Sequence, residues 1–154
     1  LYNRAFFEAE IEQLEKGRYA PLSVVIADLD GLKEVNDSFG HDAGDGLIRA
    51  AADLLREIFR AGDVIARIGG DEFAVILKGV GEELLKTIMD RARQIVDENA
   101  HLSEHGLKVQ FSLGSATTVF PSRLQDAIKA ADMAMYQDKR SRKKIYEANL
   151  SSDS

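Results

Sequence analysis

The chain reads as an α+β domain, a mainly antiparallel central sheet flanked by helices. Three observations lead there. Short apolar, β-branched runs and amphipathic stretches mix along the sequence without strict alternation. Two of the short runs, residues 63–69 and 72–78, are joined through Gly69-Gly70-Asp71, which places a hairpin near the centre. The bulk fits one core: 154 residues, 45% hydrophobic and 30% charged, suit a single domain over residues 1–154.

The elements follow in order. Phe7, Ile11 and Leu14 recur at helical spacing and Gly17 supplies a stop, so residues 1–20 hold an N-terminal helix. "LSVVIAD", residues 22–28, follows Pro21 and predicts a buried strand. Residues 31–39 predict a short helix ended by Gly40. Residues 41–60 predict a second helix with Leu47, Ala51, Leu54 and Ile58 on one face. After the hairpin, residues 81 to about 100 predict a third long helix with Leu84, Ile88, Ala92 and Ile95 inward. Residues 107–120 are rich in β-branched side chains and predict a strand. Ser122 is the expected cap of a last helix running to about Lys139. "KKIYEA", residues 143–148, is expected as a final edge strand, with a flexible tail over 148–154.

Composition excludes several classes. No apolar run approaches the ~18 residues of a membrane span, so direct membrane insertion by this domain is not expected. Absent cysteine rules out disulfides and thiol chemistry and suits a reducing, cytoplasmic compartment. The net charge of −6 argues against a nucleic-acid polymer as partner, since that calls for a basic face. An acidic enzyme still binds anions where a metal ion mediates. Position 1 is Leu rather than Met, so a piece of a longer protein is expected, one that could itself be membrane-anchored.

The acids carry the chemistry. Asp28 and Asp30 lie at the end of the first strand and share a face if the strand continues. A hairpin tip at Asp71-Glu72 could bring a second carboxylate beside them. Carboxylates from neighbouring strands make a Mg²⁺ site that leaves positions open for phosphate oxygens. Two such ions, roughly 3.5–4 Å apart, serve phosphoryl transfer. Gly69 and Gly70 would permit positive φ and let a polyphosphate approach the backbone. The plainer reading is a solvated turn beside acids at a strand end; the two clusters together favour metal.

Competing motifs fail. There is no GxxxxGK[ST] loop. "DLDGLKEVNDSF" begins like a calcium loop, but Leu32 takes the third ligand position and Phe39 the twelfth. His101 and His105 are four apart with no third zinc ligand evident, and no Ser-His-Asp pattern stands out.

"GGDEF" at residues 69–73, "LYNR" at 1–4, "DLDGLKEVNDSFGHDAGD" at 28–45 and "AMYQDK" at 134–139 occur in order and at family-like spacing. Together they resemble the GGDEF family of diguanylate cyclases over almost the whole chain. The resemblance implies a fold like the palm of polymerases and class III nucleotide cyclases, and the reaction 2 GTP → cyclic di-GMP + 2 pyrophosphate. It implies that Asp28, the backbone carbonyl of Leu29, Asp71 and Glu72 hold two Mg²⁺ (or Mn²⁺) per half-site. Asp71, Glu72 and Asp28 would be catalytic, with Glu72 a second metal contact or a help in deprotonating the 3′-hydroxyl. Asp30 would support local structure.

By the same resemblance Asn36 and Asp45 read guanine, with Leu32, Gly69 and Gly70 around the nucleotide. A carboxylate accepts from guanine N1–H and N2, a donor pair that adenine lacks, and a buried polar site left unpaired discriminates by ~10⁴ or more. Turn and helix-cap duty is the alternative for Asn36 and Asp45. Lys33 and Lys139 resemble phosphate contacts. Two departures stand out. Leu32 replaces a common Phe, and "KRSRKKIYE" lacks the usual Gly-Arg-Asn, leaving Lys143 where the family has a phosphate-binding Arg. "RAGD", Arg60 to Asp63, resembles the family's inhibitory site for cyclic di-GMP, with Arg91 as a further contact. Its alternative is an Arg complementing a helix C-terminus.

The implied reaction needs two half-sites facing each other across a two-fold axis, hence a homodimer. An upstream sensor or regulatory domain would set the dimer geometry. The competing function is a catalytically inactive receptor that binds GTP or cyclic di-GMP. A scaffold module and a cyclase of altered base choice are the further rivals.

Overall fold

A computed structural model of the chain describes residues 1–99 and 102–152. Helix α1 (Arg4–Lys16) buries Phe7, Ile11 and Leu14, the stripe set by its spacing, and the Asn3 side chain accepts from Phe6 N at its start. Strand β1 (Leu22–Leu29) is buried on both faces. Gly31, at φ 78, reverses the chain into α2 (Leu32–Phe39), which is followed by α3 (His41–Ile58). Strands β2 (Val64–Arg67) and β3 (Glu72–Lys78) form the central hairpin. Then come α4 (Glu82–Glu98), β4 (Phe111–Thr118), a short 3-10 turn at Pro121–Arg123 and α5 (Leu124–Ser152).

The four strands pair in the order β2-β3-β1-β4, every neighbour antiparallel. The α+β expectation therefore holds. The two-residue period of the strands divides the core. Val25, Ala27, Leu29, Phe73 and Val75 pack with α3 and α4 on one face; Val24, Ile26, Ala74 and Ile76 pack with α1 and α5 on the other. Burying each large aliphatic or aromatic side chain contributes about 1.5–3 kcal/mol, so the central strand is the most firmly held element. Among the described residues no helix is long and apolar enough to cross a membrane.

Several expectations are corrected. No separate edge strand forms at residues 143–148: α5 continues unbroken to Ser152, because no Gly or Pro interrupts it and Lys, Arg, Glu and Ala favour helix. Residues 148–152, expected to be a flexible tail, belong to that helix, and residues 153–154 lie outside the described residues. Ser122 sits inside the 3-10 turn instead of capping α5. In α4 the inward leucine is Leu85, while Leu84 is 48% exposed. Adjacent leucines offered two registers, and the one seven residues before Ala92 continues its buried stripe. Ile88 and Ile95 pack partly against the core. The fourth strand begins at Phe111, four residues later than the sequence pattern allows.

Candidate functional site

The site lies where β1 ends. Asp28 and Asp30 carry the parity of Val24 and Ile26, so both face α5. Asp28 is 6% exposed. The β1–β3 register sets Asp28 opposite Glu72, and Leu29 N donates to Asp71 O at 2.7 Å. The hairpin tip is therefore stitched to the end of the first strand, which brings Asp28, Leu29, Asp71 and Glu72 together.

Cations brace that tip. Arg67 donates from Nε to Gly69 O (3.2 Å) and from Nη2 to Gly70 O (2.8 Å). Arg4 donates to Ile68 O at 2.9 Å. With the carbonyls turned toward guanidinium groups, the turn needs no positive φ: neither Gly69 nor Gly70 has one, contrary to expectation. Their smallness matters differently. A Cβ on Gly69 would press on Glu72 Oε2 at 3.3 Å, whereas Gly70 faces open space where a ligand can approach. The sequence reading did not single out Arg67 or Arg4; a guanidinium two residues before a double glycine was the available signal.

Helix α5 closes the other side. Lys139 Nζ lies 3.3 Å from Asp28 Oδ2. The other carboxylate oxygen, Asp28 Oδ1, is buried with no hydrogen-bond partner. Burial, with the Asp71 carboxylate nearby, pushes Asp28 up to about 6 despite Lys139. Burial also raises Glu72, helped by Asp132 and Asp71. Burial of Lys139 works against its charge, but the Asp28, Asp71 and Asp30 carboxylates together outweigh it and the ammonium is held above its usual range. A cleft of about 530 Å³ is lined by Asp28, Glu72, Asp132, Tyr136, Lys139 and Arg140. Asp132 was not read from the sequence, since only the packing of α5 brings it near Glu72.

Among the described residues no three His, Cys, Asp or Glu side chains converge as a ready-made metal cage. The donor set nevertheless fits a hard cation: carboxylates on neighbouring strands, a strand-end carbonyl and a buried carboxylate oxygen that lacks any donor. Asp30 is otherwise engaged, accepting from Ser112 Oγ (2.8 Å) and Arg142 Nε (3.3 Å). Lys143 is exposed one turn beyond Lys139 on α5.

The remaining residues predicted to contact the nucleotide sit on α2 and α3, which follow β1 in the chain; none of them lines the cleft beside Asp28. Leu32 packs partly on the core and Lys33 is exposed in the first turn of α2. Asn36 lies against Gly44: a Cβ there would fall 1.8 Å from Asn36 Oδ1. Asp45 is the fifth residue of α3 and exposed, so helix capping does not account for it.

Arg60 and Asp63 occupy the turn between α3 and β2. Asp63 Oδ2 accepts from Arg60 N at 2.9 Å, so part of this carboxylate serves the turn itself. A cavity of about 390 Å³ there is lined by Tyr2, Arg56, Phe59, Arg60 and Asp63 with their neighbours. Arg91 is exposed on α4, and among the described residues no hydrogen bond or ion pair joins it to Arg60 or Asp63. His101, one of the two spaced histidines, lies outside the described residues.

Comparison with known proteins gives a consistent answer. The family profile described as "Diguanylate cyclase, GGDEF domain" matches residues 1–144. Diguanylate cyclase DgcS of Shewanella oneidensis is 30% identical over 150 residues, covering 96% of this chain and 50% of that protein. Diguanylate cyclase DosC of Escherichia coli is 31% identical over 159 residues, covering 97% of this chain and 34% of that protein. This chain thus spans between a third and a half of those relatives. The GGDEF domain of DgcB from Caulobacter crescentus, solved in complex with c-di-GMP, superposes with a TM-score of 0.78 at 26% identity, covering 92% of this chain and 86% of that one.

Proposed function

Because the chain belongs to the GGDEF domain family of diguanylate cyclases, we propose that it condenses two GTP into cyclic di-GMP, releasing two pyrophosphates. The observation that carries this reading is Asp28: a buried carboxylate with one unpartnered oxygen, beside Asp71 and Glu72 and facing a cleft. In this reading Asp28, the Leu29 carbonyl, Asp71 and Glu72 hold Mg²⁺ (or Mn²⁺), two ions per half-site. When bound, such ions activate a hydroxyl and neutralise charge on a leaving phosphate.

The chain's own groups do the rest. Lys33, Lys139 and Lys143 attract the triphosphate, and Gly70 leaves room for it beside the backbone. Asp45 accepts from guanine N1–H and the N2 amine and the Asn36 amide pairs with the same edge, with Leu32 beneath, which favours GTP over ATP. Glu72 either serves as a second metal contact or helps to deprotonate the 3′-hydroxyl as that oxygen bonds to the α-phosphorus and the bond to pyrophosphate breaks. One domain holds one GTP, so the reaction runs in a two-fold homodimer. Arg60, Asp63 and Arg91 bind cyclic di-GMP as a product inhibitor, and a regulatory domain in a longer protein sets the dimer geometry.

The test is incubation with GTP and Mg²⁺ followed by product identification, with and without added cyclic di-GMP. Cyclic di-GMP and pyrophosphate are the expected products, with synthesis slowed by added cyclic di-GMP. Nucleotide binding with no turnover would replace the enzyme by the receptor reading.

A further inference from the structure

Strand β4 is an open edge of the sheet. On its inner side Gln110 O accepts from Asp30 N at 2.8 Å, so the alternate residues 109, 111 and 113 face outward. Side chains meet all three. Val109 O accepts from Asn99 Nδ2 (3.3 Å), Phe111 O from Arg93 Nη1 (2.8 Å), and Leu113 N donates to Asp138 Oδ2 (2.8 Å). Arg93 Nη2 also pairs with Asp138 Oδ2. Arg93 stands on α4 and Asp138 on α5, helices packed on opposite faces of the sheet. Their side chains meet around its rim, a donor on a carbonyl and an acceptor on an N–H, as a fifth strand would present them. Each is 28% exposed, so the pair is less screened than a surface ion pair.

Asp138 is followed by Lys139. Successive helix positions differ by about 100°, so position 138 turns to the rim while position 139 turns to the cleft, where Lys139 meets Asp28. Contact between α5 and Gly114 sets how closely the helix approaches β4; it does not by itself set rotation about the helix axis. We propose that Arg93 and Asp138 are positioning residues. Their clasp around the β4 edge fixes the rotation of α5 so that the Lys139 ammonium stays over Asp28 and the triphosphate path. The functional half of this inference rests on the cleft being the GTP site.

The experiment combines steady-state kinetics with residue-resolved hydrogen exchange on the intact domain. Asp138→Ala and Arg93→Ala raise KM for GTP about tenfold while kcat stays within about threefold, the signature of a lost binding contact. Asp138→Asn, which keeps an acceptor for Leu113 N, restores KM to within about threefold of the parent. In a Lys139→Ala background, Asp138→Ala adds no further rise in KM, because its effect passes through Lys139. Exchange in Asp138→Ala accelerates at Leu113 and along residues 134–142 and not in α1 or α3. An unchanged KM, or independent multiplication of the two effects in the double variant, overturns the positioning role. Unchanged exchange at Leu113 and α5 overturns the clasp itself, and this result stands even if the parent domain turns over no GTP, the outcome that removes the functional reading instead.

Discussion

Asp28 is kept charged against its surroundings. Its folded-state value of about 6 lies above the ordinary 3.8, and burial is the main cause. The folded protein therefore takes up this proton first as pH falls. Above pH 6 the charged carboxylate destabilises the metal-free fold by about 3 kcal/mol. That penalty disappears as pH drops from about 6 toward 4. Asp28→Asn should accordingly make the metal-free domain more stable at pH 7 by about 1–3 kcal/mol, and the advantage should fade toward pH 4; urea denaturation across that range checks it. Mg²⁺ should stabilise the parent and leave Asp28→Asn nearly unmoved. Asp71→Ala, on a turn outside the core, should leave the circular dichroism spectrum intact and lower cyclic di-GMP synthesis by a factor on the order of 100 or more; undiminished turnover removes Asp71 from the site. The acids were legible in the sequence because their positions, at a strand end and a glycine turn, restrict what they can do. Arg4 and Asp132 were not, because each acts through a contact that only folding creates, while Arg67 left only the weak local signal of a guanidinium two residues before a double glycine.

At the scale of elements, two glycines decide how helices approach the site. Gly114 of β4 lets α5 cross with its backbone against the strand: a Cβ there would fall 2.1 Å from Met135 N and 2.2 Å from Ala131 O. Backbone cannot rotate out of the way, so Gly114→Ala should destabilise the domain by about 2–4 kcal/mol, measured by urea denaturation. Gly44→Ala meets only the end of the Asn36 side chain, which can swing aside. It should leave stability within about 1 kcal/mol, yet raise KM for GTP about tenfold if Asn36 reads the base. Equal KM in that variant takes Asn36 out of guanine recognition. Most elements were legible: α1, β1, the hairpin and α3 follow from periodicity because each buries one clear face. The end of α5 was not, since "KKIYEA" carries both strand-forming and helix-forming residues. Continuity of the helix decided it, and the β4 edge that a further strand would have sought is already met by Arg93 and Asp138.

At the scale of the whole molecule, the reading turns on symmetry. One domain offers one cleft of about 530 Å³ with one Asp28–Glu72 pair. Cyclic di-GMP contains two identical phosphodiester links, each made by a 3′-hydroxyl attacking a second nucleotide in line. In the proposed reaction a single cleft cannot both present the hydroxyl and hold the phosphorus it attacks, so that reaction calls for two copies facing each other with their β1 ends opposed. Along α5 the cleft is bordered by Met133 and Tyr136, 66% and 59% exposed, side chains that a second copy could meet. Synthesis per domain should then rise with domain concentration, and total rate with nearly its square, until dimer saturates; a series of initial rates at fixed GTP and Mg²⁺, set beside sedimentation at the same concentrations, checks this. Mixing the parent with excess Asp71→Ala should lower the rate by more than dilution, because mixed dimers hold one incompetent half-site. A rate strictly proportional to concentration where sedimentation finds only monomer would show that one domain completes both bonds, and the two-fold mechanism would fall with it.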